Sequence, residues 1–233
     1  MDIKGCVALV TGANRGLGRA FVQALLTAGA SKVYAAARDP SSITLPGIHP
    51  IKLDVTNPEE VDAAARSCSD VTLVINNAGI FRSAPIVPAS TQENTRAEME
   101  ANFFGTLAMS RAFAPILKAN GGGALVNILS LTSWISASGA ALYSASKAAT
   151  WSLTNGLRNE LRVNGTLVTG VHVGPMDTDM TSHTQGQKSD PVDVAQQVLR
   201  AVDAGQEEVL ADATSRQVKA GLSAEPSVYL TAG

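Results

Sequence analysis

The stretch Thr11-Gly12-Ala13-Asn14-Arg15-Gly16-Leu17-Gly18 constrains the fold of this chain most. It stands between a short apolar run, residues 7–10, and a segment in which Ala20, Phe21, Ala24, Leu25 and Ala28 recur at helical spacing until Gly29 stops them. An apolar run of that length bounded by glycines reads as a fully buried strand. The turn therefore joins a strand to the start of a helix. Three residues without side-chain bulk at that point let an anion approach backbone N–H groups and the positive end of the helix dipole. Tight strand-to-helix turns that bind nothing also use glycine. What favours a nucleotide site is the context, since this turn follows the first strand and opens the first helix.

The rest of the chain repeats the alternation. Residues 32–38 read as a second strand and 48–55 contain a third, with a Pro- and Ser-rich loop between them. A helix is expected over 58–67, with Asn57 as N-cap and Pro58 at the first helical position. A fourth strand, 71–75, ends in Asn76-Asn77-Ala78-Gly79. A long helix over 95–118 carries Met99, Phe103, Leu107, Ala114 and Leu117 on one stripe, which fits packing on a sheet or, second, on another subunit. Then come a strand at 124–130, a helix at 143–162, a strand at 167–173, a polar stretch at 177–190, and a final helix, strand and short helix from 191 to 222. Such alternation in 233 residues, with no linker and no repeat, predicts one α/β domain of parallel βαβ units with helices on both faces.

Charged residues are 16% of the chain, against about 25% in an ordinary domain. Much helix surface should thus be covered, by the sheet or by a second subunit. A net charge of -2 leaves no basic footprint for nucleic acid, and no apolar run reaches the length of a membrane span. The N-terminus passes from one lysine through a brief apolar burst into the glycine turn, unlike a signal peptide. Cys6 and Cys68 are then expected as reduced thiols in a cytoplasmic protein. His49, His172 and His183 lie in three separate segments without ligand spacing, so no metal is expected.

Chemistry concentrates between residues 123 and 162. Ser130 ends the fifth strand, and Tyr143 and Lys147 stand four apart on a helix, so phenol and ammonium share a face. A tyrosine has an ordinary pKa of about 10, and a neighbouring cation lowers it by favouring the phenolate. Ser133 is the rival hydroxyl to Ser130.

Taken together, Thr11-Gly12-x-x-x-Gly16-x-Gly18, Asn76-Asn77-Ala78-Gly79 and Ser130 with Tyr143-x-x-x-Lys147 resemble the short-chain dehydrogenase/reductase family from about residue 4 to at least 212. The resemblance implies a Rossmann-type, doubly wound, mainly parallel sheet of seven strands in the order 3-2-1-4-5-6-7. It implies Tyr143 as proton donor in carbonyl reduction. Lys147 would lower the tyrosine's pKa and bind the nicotinamide ribose, Ser130 would hold the substrate oxygen, and Asn102 would help hold a water that connects the lysine to solvent. Gly12, Asn14, Arg15, Gly16, Leu17 and Gly18, Asp54 and Val55, Asn76, Ala78 and Gly79, and Gly174 and Thr178 would contact the cofactor. In Val173-Gly174-Pro175-Met176-Asp177-Thr178 a valine replaces the family's proline and a proline follows one place late, which leaves the turn's shape open.

The charge at the end of the second strand separates the two nicotinamide cofactors. A 2′-phosphate wants a cation and a ribose diol wants a carboxylate. Ala37 stands where NAD-preferring members carry the acid, and Arg38 follows it; with Arg15 it points to NADP, while Asp39 is the competing ribose acceptor. The expected activity is NADP-dependent reduction of a ketone or aldehyde. An NAD-linked alcohol or sterol dehydrogenase, or an NADP-sensing protein without turnover, is the alternative. Thr132, Trp134, Leu142 and Met176 are expected to line a substrate pocket under a cover formed by 177–190. Ala145, Ala148, Ala149 and Gly156 would permit close helix pairing across a two-fold, so a homodimer or homotetramer is expected.

Overall fold

The protein is described by a computed structural model that covers residues 1–82, 84–88, 91–182 and 184–231. Seven parallel strands form one sheet in the order β3-β2-β1-β4-β5-β6-β7, as expected. They are β1 (Val7–Thr11), β2 (Lys32–Ala37), β3 (His49–Lys52), β4 (Leu73–Asn76), β5 (Gly123–Ile128), β6 (Thr166–His172) and β7 (Glu208–Leu210). The helices are α1 (Gly16–Thr27), α2 (Pro58–Ser67), α3 (Gln92–Glu98), α4 (Gly105–Ala119), α5 (Ala141–Leu161), α6 (Pro191–Asp203), α7 (Ala213–Gly221) and α8 (Val228–Thr231).

Successive strand residues feed opposite cores, as the pleat demands. Ala8, Val10, Val33, Ala35, Leu73, Ile75, Ala124 and Val126 meet α1 and α6 on one face. Leu9, Tyr34, Ala36, Val74, Leu125 and Val168 meet α2, α4 and α5 on the other. Cys6 and Cys68 are free thiols, one in each core. Strand order reverses between β1 and β4, so the chain leaves these neighbours in opposite directions and opens a crevice at their carboxyl ends, at Thr11 and Asn76.

The long helix expected over 95–118 differs in two respects. It starts at Gln92, and between α3 and α4 the backbone widens into a π-helical segment, Met99–Phe104. A π turn takes up more residues than an α turn, so the face that meets the sheet changes phase. The large apolar side chains buried beyond it are Met109, Phe113 and Leu117, while Met99, Phe103, Leu107 and Ala114 of the expected stripe stay half-exposed. The loop expected between β2 and β3 is there, with one 3-10 turn at Pro40–Ser42.

β6 ends in His172, whose ring is buried and stacked on Trp134 at 3.7 Å and 19°. Its Nδ1 lies 3.1 Å from the Ser130 carbonyl oxygen, and Nε2 lies 3.8 Å from Glu208. Burial pushes the imidazole down from 6.5 to about 4 against that carbonyl contact, with the positive charges of Lys219 and Arg158 adding to the fall. Between these values the unfolded chain binds a proton that the folded one refuses. Stability contributed by neutral His172 is therefore present above about pH 6.5 and lost as pH falls toward 4. The loss is about 3 kcal/mol. The unfolding free energy of the wild type should fall more steeply from pH 7 to 4.5 than that of His172→Phe; parallel curves would refute this account of the ring.

Candidate active site

The crevice is built from the carboxyl ends of four strands. At β1, Thr11 turns its hydroxyl toward the β4 loop, where it accepts from the Asn77 and Ala78 backbone N–H groups, both at 2.9 Å. Asn77 replies by donating its amide to the carbonyls of Thr11, at 2.9 Å, and Gly12, at 3.2 Å. The two motif loops are thereby laced together. A Cβ on Gly18 would stand 2.1 Å from the Gly12 carbonyl oxygen, so only glycine lets α1 cross its own entry turn. Gly16 has φ +50, and a Cβ there would come within 3.2 Å of Thr178.

The start of α1 has no side-chain cap and no acid in its first turn, whereas Asn57, Asp190 and Asp212 cap α2, α6 and α7. First-turn N–H groups left open beside a glycine cradle suit an anion. Of the expected contacts here, Leu17 buries its side chain in the core and presents only its backbone, while Asn14 is half-buried. At the end of β2, Arg38 is exposed and forms no ion pair among the described residues. Asp39 is committed locally, accepting from the Ser41 N–H at 3.0 Å and hydroxyl at 2.7 Å. Asp54 holds Thr56 through the N–H at 2.9 Å and hydroxyl at 2.8 Å, and Val55 is buried against Gly105.

Asn76 turns inward. Its amide donates to Asn127 at 2.9 Å, and Asn127 donates to Thr154 at 2.9 Å, so a polar string runs from β4 through β5 into α5. Thr150, one turn before Thr154, donates to the Asn102 carbonyl at 3.1 Å. Asn102, fully buried in the π-helical segment, accepts from the Ile80 N–H at 2.8 Å and donates to the Ile80 carbonyl at 3.0 Å and to Ser146 at 2.9 Å. A Cβ on Gly79 would lie 2.9 Å from the Asn102 oxygen and 3.7 Å from Lys147 Nζ.

The three candidates for chemistry converge. The Ser130 hydroxyl acts on the Tyr143 phenol in favour of its ionised form, and Lys147 Nζ lies 5.7 Å from the centre of the phenol ring. Lys147 donates to the Ile128 carbonyl at 2.8 Å. Burial lowers the ammonium to about 8. The phenol stands well above its ordinary range, first through burial and then through the charge of Glu98, against the opposing Ser130 bond. That direction is opposite to the one expected from Lys147 alone: burial and the charge of Glu98 set it. Ser133, the rival hydroxyl, accepts from the Ser130 backbone N–H at 3.3 Å as half of a capping box and is buried.

The expected pocket residues divide. Thr132 donates its N–H and its hydroxyl to Ser130 Oγ, at 3.1 and 2.9 Å, and so stands at the site. Trp134 stacks on His172, meets Trp151 edge-on at 6.3 Å and lies under Lys219 at 5.9 Å, so its ring contacts are with β6, α5 and α7. Met176 packs against the core beside β6, and Leu142 is half-buried in the first turn of α5. The displaced proline does not disturb Gly174, whose N–H donates to Asp212 at 2.6 Å. Met176 pairs with Ser189, the Asp177 N–H donates to the Ser189 carbonyl at 3.0 Å, and Arg15 reaches Asp179 at 3.4 Å across the groove. His183 lies outside the described residues. Among the described residues no His, Cys, Asp or Glu group could hold a metal, and no helix is long and apolar enough to cross a membrane.

Sequence reasoning missed Asn77, Asn127, Phe81 and Glu98. Phe81 lies edge-on to Tyr143, centroids 5.2 Å apart. Glu98 precedes Asn102 by four residues, and that shared face is the signal that could have marked it.

Residues 6–189 match the family described as short chain dehydrogenase. An oxidoreductase of Staphylococcus haemolyticus, itself uncharacterised, is 33% identical over 214 residues, which span 86% of this chain and 92% of the relative. A short chain dehydrogenase from Burkholderia cenocepacia, solved in complex with NADP, is 43% identical with a TM-score of 0.93, covering 97% of this chain and 96% of that one. Another from Streptomyces avermitilis is 27% identical with a TM-score of 0.83, covering 94% and 96%. This chain belongs to the short-chain dehydrogenase/reductase family, and it is an oxidoreductase of that kind.

Proposed function

We propose that the protein reduces a ketone or aldehyde to an alcohol with NADPH, with Tyr143 as the proton donor. The observation that carries this reading is the convergence of Tyr143 with Ser130 and Lys147 at the carboxyl end of the sheet. A phenol held above its ordinary range is protonated at neutral pH, which is the form that can donate.

The residues present fit the cofactor. The glycine cradle, which a Cβ would fill, and the uncapped start of α1 would take the pyrophosphate. Arg38, with Arg15, would take the 2′-phosphate. Asp39 accepts from the Ser41 N–H and hydroxyl through one carboxylate oxygen, which supports a turn role for it over an NAD-type ribose contact. Gly79, Gly174, Thr178 and Lys147 would surround the nicotinamide half. When bound, NADPH supplies the electron pair and hydrogen that reduce the carbonyl carbon. Ser130 and Tyr143 orient the carbonyl oxygen, and Tyr143 gives it the phenolic proton as negative charge develops there. Lys147, near neutrality at about 8, stabilises the phenolate left behind, and the Asn102 junction keeps it aligned. The half-exposed Phe103 and Leu107, with exposed Phe104, support association of copies of this chain through α4.

Across a panel of ketones and aldehydes followed by NADPH consumption, Tyr143→Phe should lower kcat about 100- to 10,000-fold. Wild-type turnover by that variant on every active substrate would refute the assigned donor. Arg38→Asp should lower kcat/KM for NADPH by about 10- to 100-fold, from loss of a charged contact worth about 1.5–3 kcal/mol, while sparing NADH. An unchanged cofactor preference would remove Arg38 from the 2′-phosphate site.

A further inference from the structure

Glu98 is fully buried at the end of α3, where a carboxylate needs partners. Its Oε1 accepts from the Arg82 backbone N–H at 2.6 Å, and Oε2 has no hydrogen-bond partner among the described residues. Four residues on, Asn102 grips the same loop through the N–H and carbonyl of Ile80. Residues 80–82 are thus fastened to one helical run at both ends. Phe81, between the two fastenings, has its ring edge-on to that of Tyr143, at 5.2 Å and 83°.

A buried acid with one oxygen unpartnered is costly, and a stable fold keeps it only if its neighbours are worth positioning. Burial raises the Glu98 carboxyl above its ordinary range, opposed by the Arg82 N–H and guanidinium. The groups that bear on Tyr143 are Glu98 from α3, Ser130 after β5 and Lys147 from its own helix; those that bear on Glu98 are Arg82 and Tyr143.

We propose that Glu98 is a positioning residue for Tyr143: with Asn102 it holds Phe81 against the phenol ring, and its negative charge keeps the phenolic proton in place until the substrate oxygen takes it. The proposal rests on Tyr143 being the proton donor. A like charge disfavours the phenolate. Glu98 thereby opposes Lys147, and the balance between the two sets the pH range over which the enzyme reduces.

The test reads Tyr143 without any substrate. In the NADP-saturated protein carrying tyrosine labelled with carbon-13 at Cζ, Tyr143→Phe identifies the resonance and a pH titration follows its ionisation. Glu98→Gln keeps an oxygen acceptor for the Arg82 N–H and removes the charge, so Tyr143 should titrate about one pH unit or more below wild type, with the Phe81 ring resonances unmoved. Glu98→Ala removes both the charge and the fastening, so it should lower the titration and also shift the Phe81 resonances. A Tyr143 resonance that titrates with the wild type in either variant overturns the proposal even where Tyr143→Phe is inactive. An active Tyr143→Phe overturns instead the donor reading on which the proposal stands.

Discussion

The carboxamide and carbonyl of Asn102 form the junction on which the site depends. Its side chain exchanges two hydrogen bonds with Ile80 and a third with Ser146, while its carbonyl receives the Thr150 hydroxyl and that of Thr106. One residue thus joins the loop after β4, the π-helical segment and α5. Each of these hydrogen bonds contributes about 0.5–1.5 kcal/mol. The Asn102 carbonyl lies within the π-helical segment, where the turn is wider than in an α-helix. Lys147 directly follows Ser146 and stands three residues before Thr150, so its place at the Ile128 carbonyl follows from how α5 is held.

Charge is distributed so that two places in the crevice stay open to anions. Asn57, Asp190 and Asp212 close three helix starts; α1 is among those left without a side-chain cap, and it follows the glycine turn. Arg38 stands nearby without an ion-pair partner among the described residues, because the adjacent carboxylate of Asp39 is turned into the 3-10 turn. Deeper in, the order of charges reverses. The charge of Glu98 acts on the phenol, Lys147 stands near its ring, and burial makes each ionised form expensive. A phenol so placed is poised by opposing neighbours and not by the lysine alone.

Much of the fold was legible because alternation of short apolar runs with helical periods leaves few topologies, and the glycine turn identifies which strand comes first. Ser130, Tyr143 and Lys147 were legible from spacing, and the structure brings them together. The π-helical segment was not, since Met99, Phe103 and Leu107 keep a plausible α-helical stripe while the buried face lies on Met109 and Phe113. Glu98 and Asn127 escaped for another reason. A charged or amide residue within a helix or strand is usually at the surface, and only the three-dimensional partners show that these are inside. Trp134, expected to line the pocket, stacks its ring on that of buried His172. Residues 131–142, which run between Ser130 and Tyr143, are thus partly structural in purpose.

The central claim is that this constellation moves a hydrogen between a nicotinamide and a carbonyl carbon while Tyr143 supplies the proton. Its most direct test uses NADPH deuterated at C4 on each face in turn, with the product alcohol analysed by mass spectrometry. The account predicts that one of the two labelled cofactors delivers deuterium to the former carbonyl carbon, and that Tyr143→Phe delivers about 100-fold less or lower still under the same conditions. Consumption of NADPH with no deuterium in the alcohol from either label would contradict it.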